Sequence, residues 1–138
     1  MPQGKVEAVL DTSALYPLLK KLGGGAASLL MRLLILDLTK YELGNIGWKE
    51  YKLGHVKNWE SLMERWSKII RELPEYSIGV EHLKEVGEIA VERGLSFYDA
   101  SYVYVAEKLN LKLITEDEEM LNKCKNSVAL DKFLKTKS

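Results

Sequence analysis

Apolar residues in this chain follow two rhythms. Short runs rich in Val, Leu and Ile, over residues 6–10, 33–36 and 111–115, read as strands, the one at 33–36 as a strand covered on both faces. Elsewhere the spacing is helical. Leu15, Leu18, Leu19 and Leu22 predict a first helix that Gly23-Gly24-Gly25 ends, and a second helix is expected over 26–32. Thr39 is placed to cap a helix over 40–52, with Glu42, Asn45 and Lys49 on one face and Leu43, Ile46 and Tyr51 on the other. Gly44 and Gly47 each cost that helix roughly 1 kcal/mol relative to Ala, so close approach of another backbone is expected there. The stripe Trp59, Leu62, Met63, Trp66, Ile69, Ile70 and Leu73 predicts a helix over 58–73, stopped by Pro74. A brief strand at 76–79 and a helix ending near Gly94 follow. Ser96 then caps a helix over 97–109 that Asn110 ends, with Asp99 in the reciprocal position of a capping box. A short helix over 116–124 and a strand over 127–130 complete the series. Strands separated by helices in this order predict an α/β protein, a three-layer α/β/α sandwich with a central, mainly parallel sheet.

In such sheets functional groups collect outside the carboxyl ends of the strands. Asp11 closes the first run, Glu42 lies in the first helical turn after the second, and Asp117 follows the run that ends at Thr115. Asp99 opens the second of two consecutive helices, so simple alternation puts it at the opposite edge unless the preceding helix lies across the sheet. Each acid has a plain structural role available. Asp11 and Asp99 suit helix caps, Glu42 is a first-turn glutamate favoured by the helix dipole, and Asp117 sits in a charged turn. If the four converge, their mutual repulsion raises their pKa values, and the usual remedy is a divalent cation held by oxygen ligands.

Composition narrows the chemistry. The 138 residues, 46% hydrophobic, are enough for one domain spanning 1–138, with a loose tail from Thr136. Twenty basic and twenty acidic residues cancel, so nucleic acid would have to be drawn by a local patch or by a metal. One Cys and two His exclude an internal disulfide and an ordinary structural zinc site. Cys124 is expected as a small buried hydrophobe, His55 and His82 as surface residues, and a serine-hydrolase triad has no supporting motif. The start of the chain does not read as a signal peptide, and Arg32 and Asp37 interrupt the longest apolar stretch well short of a membrane span, so a cytoplasmic protein without a membrane partner is expected.

Taken together, VLDTSAL around Asp11, LTKYELGNIGWKE around Glu42, and SFYDASYVYVAEKLNLKLITEDEEML around Asp99 and Asp117 resemble, in order and spacing, the four motifs of the PIN domain, specifically the VapC-type toxin ribonucleases. The resemblance covers nearly the whole chain. It implies that Asp11, Glu42, Asp99 and Asp117 form an acidic pocket binding one or two Mg²⁺ or Mn²⁺ ions, and that the Asp99 helix is folded so that its N-terminus reaches this pocket. Ser13 corresponds to a polar residue supporting the first aspartate, and Asn45 to the polar partner one turn after the glutamate. Glu116, beside Asp117, is an alternative fourth acid. The implied activity is metal-dependent endoribonuclease cleavage of RNA, and the implied partners are a second copy in a homodimer and a VapB-type antitoxin that blocks the site. An ion of this kind lowers the pKa of a water and offsets charge on the leaving oxygen, so no side-chain nucleophile is required.

Other readings compete. A PIN nuclease can process RNA without an antitoxin, and a degenerate PIN domain can serve only as a binding module. A receiver-type phosphoacceptor would need paired acids just before Asp11, and Glu7 is too far back in the strand. The Trp59, Met63, Trp66 and Ile70 stripe suits either the core or an interface with a partner.

Overall fold

The computed structural model describes residues 5–21 and 27–136. The sheet has five strands, all parallel, in the order β3-β2-β1-β4-β5: β1 (Ala8–Leu10), β2 (Leu33–Leu36), β3 (Glu75–Tyr76), β4 (Lys112–Ile114) and β5 (Ser127–Val128). β1 lies at the centre, where Ala8 is in register with Leu33 on one side and with Lys112 on the other. Every residue of β1 and β2 is buried, as expected of parallel strands covered on both faces.

Alternate strand residues feed two cores. Ala8, Leu10, Leu33, Ile35 and Ile114 face α1 (Thr12–Lys21), α3 (Thr39–Lys52), α4 (Trp59–Arg71) and α8 (Leu130–Lys135). Val9, Leu34, Leu36 and Leu113 face α5 (Leu83–Arg93), α6 (Phe97–Lys108) and α7 (Glu118–Lys123). The short α2 (Ala27–Leu30) leads into β2. This is the three-layer α/β/α sandwich the pattern predicts, with a sheet that is wholly rather than mainly parallel. α5 stops at Gly94 (φ 65°) and the turn after α6 contains Asn110 (φ 56°), both in the left-handed region that ends helices. Among the described residues no helix is long and apolar enough to cross a membrane.

Several local expectations change. The Gly23-Gly24-Gly25 break and the tail beyond Thr136 lie outside the described residues. The strands expected at 76–79 and 127–130 shrink to two residues each, and Leu130 instead starts α8, an element without a clear periodic signature, anchored by buried Leu130 and Phe133. Gly47 is crowded by side chains rather than backbone, since a Cβ there would lie 2.8 Å from Met63 Cε and 3.0 Å from a Trp66 ring carbon. Nothing lies within 4 Å of such a Cβ at Gly44. Tyr51 is exposed, not core, as is Trp59 at the end of the α4 stripe, whereas Trp66 is buried. His82 is not a surface residue: its ring packs 5.6 Å from that of Tyr104 and its Nδ1 is buried. Cys124 is buried, as expected.

Candidate active site

The chain builds β1, β2 and β3 outward in one direction and then returns to place β4 on the other side of β1. A crevice opens at such a reversal, beyond the carboxyl ends of β1 and β4. Asp11 directly follows β1, and its amide donates to the Ile114 carbonyl at 3.1 Å, closing the two strand ends on each other. Thr115, Glu116 and Asp117 follow β4, and Glu42 lies in the first turn of α3, just after β2. Asp99 lies in the first turn of α6, which packs across β1 and β4.

Asp11 is 5% exposed, an unusual place for a carboxylate. Its Oδ1 accepts from Ser13 Oγ at 2.7 Å and from the Ala14 amide at 3.1 Å, so it also caps α1. Ser13 Oγ in turn accepts from the Glu116 amide at 2.9 Å and lies 3.2 Å from Thr115 Oγ1, joining the β1 and β4 turns. Burial pushes the Asp11 carboxyl up to about 6; bonds from Thr115, Ser13 and Ala14 offset part of that rise, and the Asp99 charge adds a little to it.

Glu42 is held by residues that the motif reading did not single out. Its Oε1 accepts from Thr12 Oγ1 and from the Tyr102 hydroxyl, both at 2.7 Å. The same hydroxyl lies 3.0 Å from Thr12 Oγ1 and 2.8 Å from Thr39 Oγ1. Burial, then the charge of Glu42, drives the Tyr102 phenol far above its ordinary range, so it remains a proton donor to the carboxylate. Tyr102 is one turn beyond Asp99 on α6, and its bond to Glu42 brings the start of α6 to the same edge as β1 and β2. The sequence signal for Tyr102 was its three-residue spacing from Asp99, hidden in the apolar run YVYVA. Asn45, by contrast, is exposed on α3.

Burial raises the Asp99 carboxyl above its ordinary value, and the charges of Asp117 and Glu42 raise it further. Ser96 Oγ accepts from the Asp99 amide at 3.0 Å, the expected cap bond. Asp117 caps α7, its Oδ1 accepting from the amides of Glu119 (2.8 Å) and Met120 (3.2 Å). Glu116 faces elsewhere: its Oε2 accepts from the Leu130 amide at 2.8 Å, at the start of α8. Glu119, which also raises the Asp99 carboxyl, is paired with Lys123 at 2.9 Å.

Asp99 therefore lies within electrostatic reach of each of the other three acids. Among the described residues no three His, Cys, Asp or Glu side chains are close enough to form a ready-made metal cage. An all-oxygen donor set of this looser kind, with two carboxyls already raised by burial and like charge, fits a Mg²⁺-type ion, which keeps several of its own waters.

The PIN domain family model matches residues 8–126. Exonuclease VapC9 from Pyrobaculum aerophilum is 41% identical over 129 residues, 94% of this chain and 94% of its own length. Ribonuclease VapC3 from the same organism is 34% identical over 100 residues, 71% of this chain and 76% of its own. The crystal structure of PAE2754 from Pyrobaculum aerophilum is similar with a TM-score of 0.86 at 40% identity, covering 96% of this chain and 97% of that one.

Proposed function

This chain belongs to the PIN domain family, and we propose that it is a VapC-type ribonuclease, folded as a single domain over 1–138, that hydrolyses RNA phosphodiester bonds with a divalent cation, Mg²⁺ or Mn²⁺. The observation that supports the reading is that Asp99, at the start of α6, feels the charges of Glu42 and Asp117 and acts on Asp11, acids that lie beyond the ends of β1, β2 and β4. Asp117 is taken as the fourth ligand rather than Glu116, because its charge acts on Asp99 whereas the Glu116 carboxylate turns to the Leu130 amide. The names of the relatives VapC9 and VapC3, an exonuclease and a ribonuclease, support nuclease chemistry. A VapB-type antitoxin, a homodimer and a cytoplasmic setting complete the proposal.

When bound, the ion would supply a water of lowered pKa and offset charge on the leaving oxygen. The chain's own residues prepare the site. Ser13 and the Ala14 amide hold one oxygen of Asp11, and Thr12 and Tyr102 hold one oxygen of Glu42, so both carboxylates are oriented before a cation arrives. Fixing the carboxylates in advance keeps them from collapsing onto one another or rotating into solvent.

The test is cleavage of end-labelled linear RNA and of a covalently closed RNA circle, with Mg²⁺, with Mn²⁺ or in EDTA. Cutting of the circle is expected, since cleavage within the strand is proposed; trimming of the linear RNA alone would make the enzyme an exonuclease. Asp99→Asn and Asp117→Asn should each lower the rate by about 100-fold or more. Glu116→Ala should leave the rate near wild type and cost about 1 kcal/mol of stability through α8. Equal cleavage by wild type and Asp99→Asn would sink the proposal.

A further inference from the structure

Three aromatic side chains of α3 stand in solvent: Tyr41 is 70% exposed, Trp48 51% and Tyr51 47%. Scattered exposed hydrophobics need no explanation, but rings aligned on one helix with charge of a single sign do. Tyr41 and Trp48 are seven residues apart, close to two turns, so they lie over one another about 10 Å apart along the axis, with Tyr51 about 5 Å further on. Lysines accompany the rings. Lys40 Nζ lies 5.1 Å from the Tyr41 ring centroid and Lys52 Nζ 4.8 Å from that of Trp48, while Lys49 is exposed on the side of the helix that carries Glu42. The two acids of α3 are drawn away from this face, Glu42 to Thr12 and Tyr102, Glu50 to the Tyr16 hydroxyl and His55. A chain with no net charge therefore has a basic, aromatic strip that begins one residue from Glu42.

We propose that this face of α3 is a stacking track for single-stranded RNA: unpaired bases stack on Tyr41 and Trp48, phosphates meet Lys40, Lys49 and Lys52, and the strand continues into the acidic crevice beside Glu42. The proposal rests on the ribonuclease reading and deepens it, naming the form of substrate and the residues that hold it. The crevice itself repels phosphate, so a strand needs a basic approach to reach it. Rings provide a surface on which any base can stack, and ammonium groups 5.1 and 4.8 Å from two of those rings are placed to meet the backbone between bases. A second copy of the chain fits this face less well, because packing against it would desolvate three lysines for which α3 supplies no acid.

The test is equilibrium binding in EDTA, followed by fluorescence anisotropy with a dye-labelled ten-nucleotide single-stranded RNA and with the corresponding RNA duplex. Trp48→Ala and Tyr41→Ala should each weaken single-strand binding about tenfold, while Trp48→Phe stays near wild type and duplex binding changes little. Lys49→Gln and Lys52→Gln should each make the dependence of log affinity on log salt shallower by about 0.7. Unchanged single-strand affinity in both alanine variants overturns the proposal, as does an equal loss for strand and duplex. A change in sedimenting mass in Trp48→Ala with RNA affinity intact also overturns it and assigns the face to self-association. Binding is read without cleavage, so failure of the track leaves the nuclease reading to its own assay. A chain that binds through Trp48 but never cuts RNA would overturn only the latter.

Discussion

Replacing Asp11 by Asn measures how much repulsion and lost hydration the crevice stores. The Asp11 carboxyl is buried, and its value is raised from 3.8 to about 6, first by burial and to a minor degree by Asp99. At 1.36 kcal/mol for each pKa unit this corresponds to about 3 kcal/mol. Because the folded value lies above the unfolded one, it is the ionised form that opposes folding. The cost is absent below about pH 4, grows between about 4 and 6, and is complete above about 6. Asn keeps an oxygen that can accept from Ser13 and Ala14 but carries no charge. In EDTA at pH 7.5, Asp11→Asn should therefore stabilise the protein by up to about 3 kcal/mol, or about 10 °C in Tm for a chain of this length. At pH 4 the gain should vanish. Mn²⁺ should raise the Tm of the wild type and leave the variant nearly unmoved. The assay is a set of thermal melts followed by circular dichroism at both pH values, with EDTA or Mn²⁺. A variant that melts at or below wild type at pH 7.5 in EDTA, or that gains equally at both pH values, refutes the reasoning.

Two further outcomes follow from the packing. Tyr102→Phe removes the hydroxyl shared by Glu42, Thr12 and Thr39; it should cost about 1–3 kcal/mol in urea unfolding and weaken Mn²⁺ binding about tenfold in calorimetry. Gly44→Ala should stabilise α3 by roughly 1 kcal/mol, since nothing crowds the new methyl. Gly47→Ala should gain less or destabilise, because its methyl meets Met63 and Trp66; equal gains at the two positions would contradict the packing described.

The strands at 8–10, 33–36 and 112–114 were legible because strands buried on both faces carry short apolar runs, AVL and LLIL unbroken and LKLIT interrupted at the exposed Lys112. α4 and α6 were legible from an apolar stripe in one and a serine cap in the other. α8 was not, because its N-terminus is completed by Glu116, 14 residues earlier in the chain. The same limit applies at the site. Asp11, Glu42 and Asp117 could be placed at the carboxyl edge from strand ends, but Asp99 could not, since its position depends on how α6 crosses the sheet. Tyr102 escaped notice and Thr39 was read only as a helix cap, because their shared polar role is visible only when two helices meet over Glu42. Gly47 was rightly marked as a close approach, but the neighbour was a pair of side chains from α4, which no local pattern reveals.

The central position of β1 also sets the order in which the crevice can come into being. Ala8–Leu10 is only three residues long, and one of its two neighbours, β4, begins at Lys112, more than a hundred residues later. Contacts so distant in sequence form late in folding, because the intervening loop must close before they can repay its entropy. Asp11 is synthesised more than a hundred residues before Thr115 and Asp117 and remains without them until β4 has been made. The acidic edge is therefore withheld from the growing polypeptide until β4 is made and docks beside β1.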